Sequence, residues 1–189
     1  MFIDNVLRKF VEIFKNSNKS MGVMRYSDDR LTGDKINLPL TGEVLYFYDH
    51  VILEDKPTFG GGLFLQFIEK NELKNILSGW KNPNEMLGWS DDYIIFSERN
   101  GDVLFCDSSD NKSPVYGSVQ KKMYKLTDSL SDFLIIYSKL VELEEIDFGS
   151  DTTDDYFNYK PEYLSKIKDE LNKNLPSDLV DNFMYFFFE

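Results

Sequence analysis

"SDDYIIFSERNGDVLFCDSSDNKSPVYGSV", residues 90–119, decides the fold. Residues 92–97 and 102–106 are rich in β-branched and aromatic side chains, and Asn100–Gly101 stands between them. Both residues of that pair tolerate positive φ, which a tight hairpin turn demands. "SSDNKS" marks a second turn, and "PVYGSV" reads as a third strand. Pro114 opens that strand, where a missing N–H does least harm. Apolar residues fill both alternations: Tyr93, Ile94, Ile95 and Phe96, then Val103, Leu104, Phe105 and Cys106. A strand with one wet face would alternate, so this pattern predicts a sheet covered on more than one side.

Upstream, Phe2, Val6, Phe10 and Ile13 recur at helical spacing with Ile3, Leu7 and Phe14 beside them, predicting an amphipathic helix over 2–15. A short strand is expected at 22–26. Residues 38–55 read two ways. Val44 to Tyr48 favour a strand by propensity. A helix opening near Thr41, with Leu45, Tyr48 and Ile52 on one side, fits equally. "FGGGLFLQFI" (59–68) is a glycine turn entering a strand, and 68–80 a helix ending near Gly79. Downstream, 126–143 is a helix capped by Thr127 or Ser129, with Leu130, Phe133, Leu134, Tyr137 and Leu140 as its buried stripe. Two closing helices follow, one marked by Leu164, Ile167 and Leu171. The other carries Leu179, Val180, Phe183, Met184 and Phe187 and is introduced by Pro176–Ser177. The expected class is α+β: a central, mostly antiparallel sheet flanked by helices, in one domain over 1–189, with a helical C-terminal extension.

The chain has 189 residues and is 42% apolar, enough for a substantial core. A single cysteine excludes an intramolecular disulfide and suits a reducing compartment. No run approaches the roughly 20 apolar residues of a membrane helix. The N-terminal helix carries Asp4 and Glu12 and lacks the basic start and cleavage site of a signal peptide, so the expected location is cytoplasmic. Asp and Glu number 33 against 21 Lys and Arg, a net charge of −12. That surface repels a phosphate backbone, which argues against nucleic acid, and attracts a basic protein. From Val141 to Tyr159 there is no Lys or Arg, while Glu142, Glu144, Glu145, Asp147, Asp151, Asp154 and Asp155 all fall there.

Catalytic and metal chemistry find little support. His50 is the only histidine, and no serine sits in a G-x-S-x-G elbow. Cys106 lies in an apolar strand, where a free thiol usually serves as packing. Zinc wants several Cys and His ligands. "DTTDDYFNYKPE" has calcium-loop spacing from Asp151 to Glu162, but Tyr156 takes the position where the turn needs Gly. The loop from Asp107 fails likewise, with Lys112 at that position. "FGGGL" precedes its strand and lacks a following Gly-Lys-Ser/Thr, and "DFG" at 147–149 has no catalytic-loop companion. No catalytic residue, metal or cofactor is assigned.

Binding residues are sought instead at loops and strand ends. Most of the sixteen Phe, eleven Tyr and two Trp belong to a core, but Trp80, after a helix, and Trp89, before the hairpin, are placed to reach a surface. Asp91, Asp92, Glu98, Asp107 and Asp110 surround the strand ends. Glu144, Glu145, Asp154 and Asp155 complete the candidate acidic set.

The order of elements over 38–143 resembles the SUKH superfamily. The resembling residues are "LP" at 38–39, "GGLFLQFIEKNELKNILSGW" at 61–80, "LGWSDDYIIFSERNGDVLFCD" at 87–107, "SPVYGSV" at 113–119 and "LTDSLSDFLIIY" at 126–137. That family includes fungal regulators of glucan synthesis and bacterial immunity proteins against polymorphic toxins. The resemblance implies a SUKH-like core at about 22–143, a helix in the 41–52 segment and a non-enzymatic binding module. Its partner would be a cognate toxin domain, often basic, neutralised by direct binding. The acidic segment and helical extension at 144–189 have no counterpart in the pattern. A regulatory scaffold with several endogenous partners is the alternative.

Overall fold

The computed structural model describes residues 2–31, 38–80, 89–120 and 122–189. Among these, seven strands form one sheet whose spatial order follows the sequence, every neighbouring pair antiparallel. The strands are β1 (Met21–Tyr26), β2 (Val51–Phe59), β3 (Leu65–Phe67), β4 (Tyr93–Arg99), β5 (Asp102–Asp107), β6 (Val115–Val119) and β7 (Lys122–Thr127). The helices are α1 (Phe2–Asn16), α2 (Gly42–His50), α3 (Leu73–Trp80), α4 (Leu130–Glu142), α5 (Pro161–Asn172) and α6 (Ser177–Phe188). The expected α+β class, with a helical C-terminal region, is what the chain adopts. No helix among the described residues is long and apolar enough to cross a membrane.

The hairpin forms at Asn100–Gly101, both at positive φ (50° and 94°), and sets the β4–β5 register from Tyr93↔Asp107 to Arg99↔Asp102. A bulge between Ile95 and Ser97 breaks the alternation. Ile95, Phe105, Tyr116 and Lys125 then form one cross-strand row. Phe96 turns instead to Phe67 and Phe133, with ring centroids 6.2 and 5.9 Å away.

Helices α1, α4 and α6 cover one sheet face. Phe10 meets Phe59 and Phe67 at 5.5 Å, and Phe186 lies so close over Gly117 that any side chain there would enter its ring. On the other side, α3 packs on β4 and brings Trp80 towards Trp89. One hydrophobic cluster runs from Ile3 to Phe187, and Tyr163, Ile167, Leu171, Phe183 and Phe187 of the C-terminal helices are inside it. The C-terminal region is therefore built into the same core as the sheet.

Three local readings change. The 38–55 segment is both a helix and a strand: α2 stops at His50 and β2 starts at Val51, with Val44, Phe47 and Tyr48 as the buried side. The helix expected in the 41–52 segment forms from its Thr41 cap but stops short of Ile52, because Val51 and Ile52 pair with Tyr26 and Arg25. Residues 122–127, where no strand was expected, form β7. The cap of α4 is Ser129, whose side chain accepts the Asp132 N–H at 2.9 Å, while the Thr127 hydroxyl donates to the Ser129 carbonyl.

Candidate partner-binding site

The acidic segment is a built structure. Helix α4 runs on into one turn of π-helix, Leu143–Asp147, and this widening turns Glu144 inward. Glu144 is 2% exposed. It accepts the Gly62 N–H at 3.0 Å and the Tyr163 hydroxyl at 3.0 Å, and Lys19 Nζ lies 3.5 Å away. Gly61, at φ +85°, approaches this carboxylate too closely for a side chain. Glu145 accepts from the Ser17 hydroxyl and, at 3.4 Å, from the Asn18 N–H. The two glutamates thus tie the β2–β3 and α1–β1 connections to the end of α4. As a steering charge Glu144 is a correction: it is consumed inside the protein.

Residues 148–160 then project as a closed loop. Its base is held by Lys160 N–H to the Thr152 carbonyl at 2.9 Å, by a Thr153–Tyr159 bridge and by Asp151–Lys160 at 2.7 Å. Tyr159 donates to the Gly62 carbonyl at 3.1 Å and packs its ring on Tyr163 and Phe188. The tip closes on Asp154, whose carboxylate accepts the Tyr156 and Asn158 N–H groups, both at 2.9 Å. Those amides, the Asn158 bond first, hold the Asp154 carboxyl below the ordinary value of 3.8. Asp155 is exposed beside them. At the tip stand Tyr156 and Phe157, 83% and 87% exposed, with Phe157 in the left-handed region at φ +65°.

The other candidates lie elsewhere. Asp91 and Asp92 precede β4, Asp107 ends β5 and Asp110 follows it, so these four gather at the opposite end of the hairpin from Gly62 and the acidic loop. Asp107 is engaged by the Ser109 N–H and hydroxyl at 2.9 and 2.6 Å, and Asp110 by the Lys112 N–H at 2.8 Å. Asp92 lies near Ser90, and its carbonyl accepts the Ser108 N–H at 2.9 Å. Glu98 is half-buried, opposite Gln66 and Val103 in the sheet. The acids do not converge on one site.

The tryptophans are half-buried and turned to each other, their centroids 6.4 Å apart. Trp80 is the last residue of α3, not part of a loop after it. Trp89 packs on Tyr93 (5.4 Å) and Phe105 (5.0 Å). Its indole Nε1 is buried without a hydrogen-bond partner among the described residues. Both work as packing on the sheet's second face, and neither stands out as an exposed anchor.

His50 and Cys106 are not paired. The His50 ring stacks on Tyr46 at 4.2 Å and its Nδ1 lies 3.0 Å from the Ser27 carbonyl. Cys106 is fully buried in β5, and burial pushes its thiol well above the ordinary cysteine range, keeping it protonated. Among the described residues no group of three His, Cys, Asp or Glu is arranged to hold a metal ion.

Tyr156, Phe157 and the 75%-exposed Ile146 are surface groups that sequence reasoning missed. The only local signal was Asp154 with Asn158 four residues on, a turn-forming pair inside an acidic run. Comparison of the chain with protein-family models, curated proteins and solved structures finds no match.

Proposed function

We propose that this chain is a non-enzymatic protein-binding module, an immunity protein that neutralises a basic toxin domain by direct contact. The observation that carries the reading is the acidic loop. Asp147, Asp151, Asp154 and Asp155 are all exposed, no Lys or Arg occurs over 141–159, and Lys160, next in the chain, pairs with Asp151. Held on a pinned loop, these charges approach a partner without first ordering the chain, which favours association. The toxin half of the reading comes from the SUKH resemblance. The binding half stands on the net charge of −12 and this loop.

The test is capture of partners on the tagged chain from its native cell lysate at low and high salt, followed by association kinetics. One dominant basic partner is expected, released or slowed by salt. Replacing Asp147, Asp151 and Asp155 with Asn should slow association by about tenfold at low ionic strength and flatten its salt dependence. Dissociation should change much less. An association rate unchanged by the triple substitution removes the acidic loop from the mechanism. Several weak partners in place of one would favour a regulatory scaffold.

A further inference from the structure

We infer that Tyr156 and Phe157 are the anchor of this interface, buried on binding in an apolar pocket rimmed by Lys and Arg on a basic protein partner. This rests on the protein-binding reading above and adds where contact is made and what receives it.

Two adjacent aromatic rings, 83% and 87% exposed, stand at the tip of a loop whose base is pinned to the core. Isolated exposed apolar residues are ordinary, but this pair is held out at a cost. Phe157 occupies the left-handed region at φ +65°, where a bulky side chain is strained and Gly or Asn is at ease. Its ring is solvent-exposed, so intramolecular packing does not offset that strain. Backbone strain at an exposed aromatic is the kind that function retains.

Charge decides the occupant. Asp155 is exposed beside the rings, Asp154 closes the turn that carries them, and Asp151, at the base of the same loop, lies 2.7 Å from Lys160. A neutral or acidic pocket would have to strip these carboxylates of water without compensation. A pocket rimmed by Lys or Arg pairs with them and stacks its cations on the ring faces. A second copy of this chain, at net charge −12, is a poor occupant.

The test places the photo-crosslinker p-benzoylphenylalanine at position 157 of the full chain, with Phe2 and Tyr185 as exposed control positions. Each variant is irradiated in native cell lysate, and the adducts are sequenced as peptides. The expected result is an adduct at 157, absent at 2 and 185, to a peptide carrying Lys or Arg. Phe157→Asn and Tyr156→Ala should then weaken binding to that protein by about tenfold or more each, while Tyr156→Ala leaves the thermal midpoint unchanged and Phe157→Asn, by relieving the left-handed strain, does not lower it. Adducts only from positions 2 or 185 would overturn the anchor and leave the binding function standing. An adduct at 157 to a second copy of the chain would overturn the basic partner. No protein adduct at any position would count against the binding function itself.

Discussion

Glu144 offers the sharpest perturbation, because two incompatible roles predict opposite outcomes. A steering charge could be neutralised with little effect on folding. The structure instead gives it the Gly62 N–H and the Tyr163 hydroxyl as donors, both at 3.0 Å. Glu144→Ala removes the acceptor and leaves both donors inside. Each buried, unsatisfied donor costs about 1–3 kcal/mol. Lys19 adds little, since its side chain is 34% exposed and can turn to water. The expected loss is therefore roughly 2–6 kcal/mol, with water entering the vacated space favouring the lower half. In a chain of this length that lowers the thermal midpoint by about 2–4 °C per kcal/mol.

Glu144→Gln keeps one oxygen for Gly62 and offers an amide to the tyrosine oxygen, so it should cost only about 1–2 kcal/mol. Tyr163→Phe added to Glu144→Ala should cost less than the two single losses together, because one stranded donor is gone. Urea denaturation followed by circular dichroism, with an unchanged m-value, measures all three. A Glu144→Ala midpoint within error of the parent would refute the buried linkage and return Glu144 to the surface.

Three further outcomes follow from named contacts. Gly117→Ala places a methyl group in the Phe186 ring and should destabilise by about 1–3 kcal/mol, with Phe186→Leu in the same chain recovering part of it in denaturant melts. Ser129→Ala removes the acceptor for the Asp132 N–H and should cost about 1 kcal/mol; a loss near zero would mean the cap is idle. Because the folded Asp154 carboxyl sits below its ordinary 3.8, its contribution to the loop is complete above that value and is lost as pH falls through the lower folded one. The Asn158 amide resonance should accordingly titrate with a midpoint below 3.8, and a midpoint at or above it would show that the two amides do not hold the carboxylate.

What the sequence reveals depends on how local the controlling contact is. The β4–β5 hairpin and α4 are legible because Asn100–Gly101, Ser129 and the apolar periods all lie within the elements they specify. Residues 38–55 mislead because α2 and β2 abut at His50–Val51 with no glycine or proline between them: Val44–Tyr48, whose propensity favours a strand, are helical, and the strand starts only at Val51. Strand β7 is hidden by its composition. It is an edge strand, and Lys122 and Lys125 break its apolar pattern as edge strands commonly do.

The site is less legible for the same reason, made stronger. Sequence counts Glu144, Glu145, Asp154 and Asp155 alike as acidic charges, yet each has a different task. The donors of Glu144 come from 82 residues upstream and 19 downstream. Glu145 meets Ser17, 128 residues away. Asp154 finds its partners within four residues and spends its charge shaping the tip. Asp155 lies exposed beside the rings that this shape presents. The aromatics invert in the same way: Trp80 and Trp89, the usual anchors, pack against each other, while Tyr156 and Phe157 stand in water. Composition assigns aromatic residues to the core by default. Only the closed loop, pinned at Tyr159 and turned at Asp154, separates two rings from that default and sets them among carboxylates.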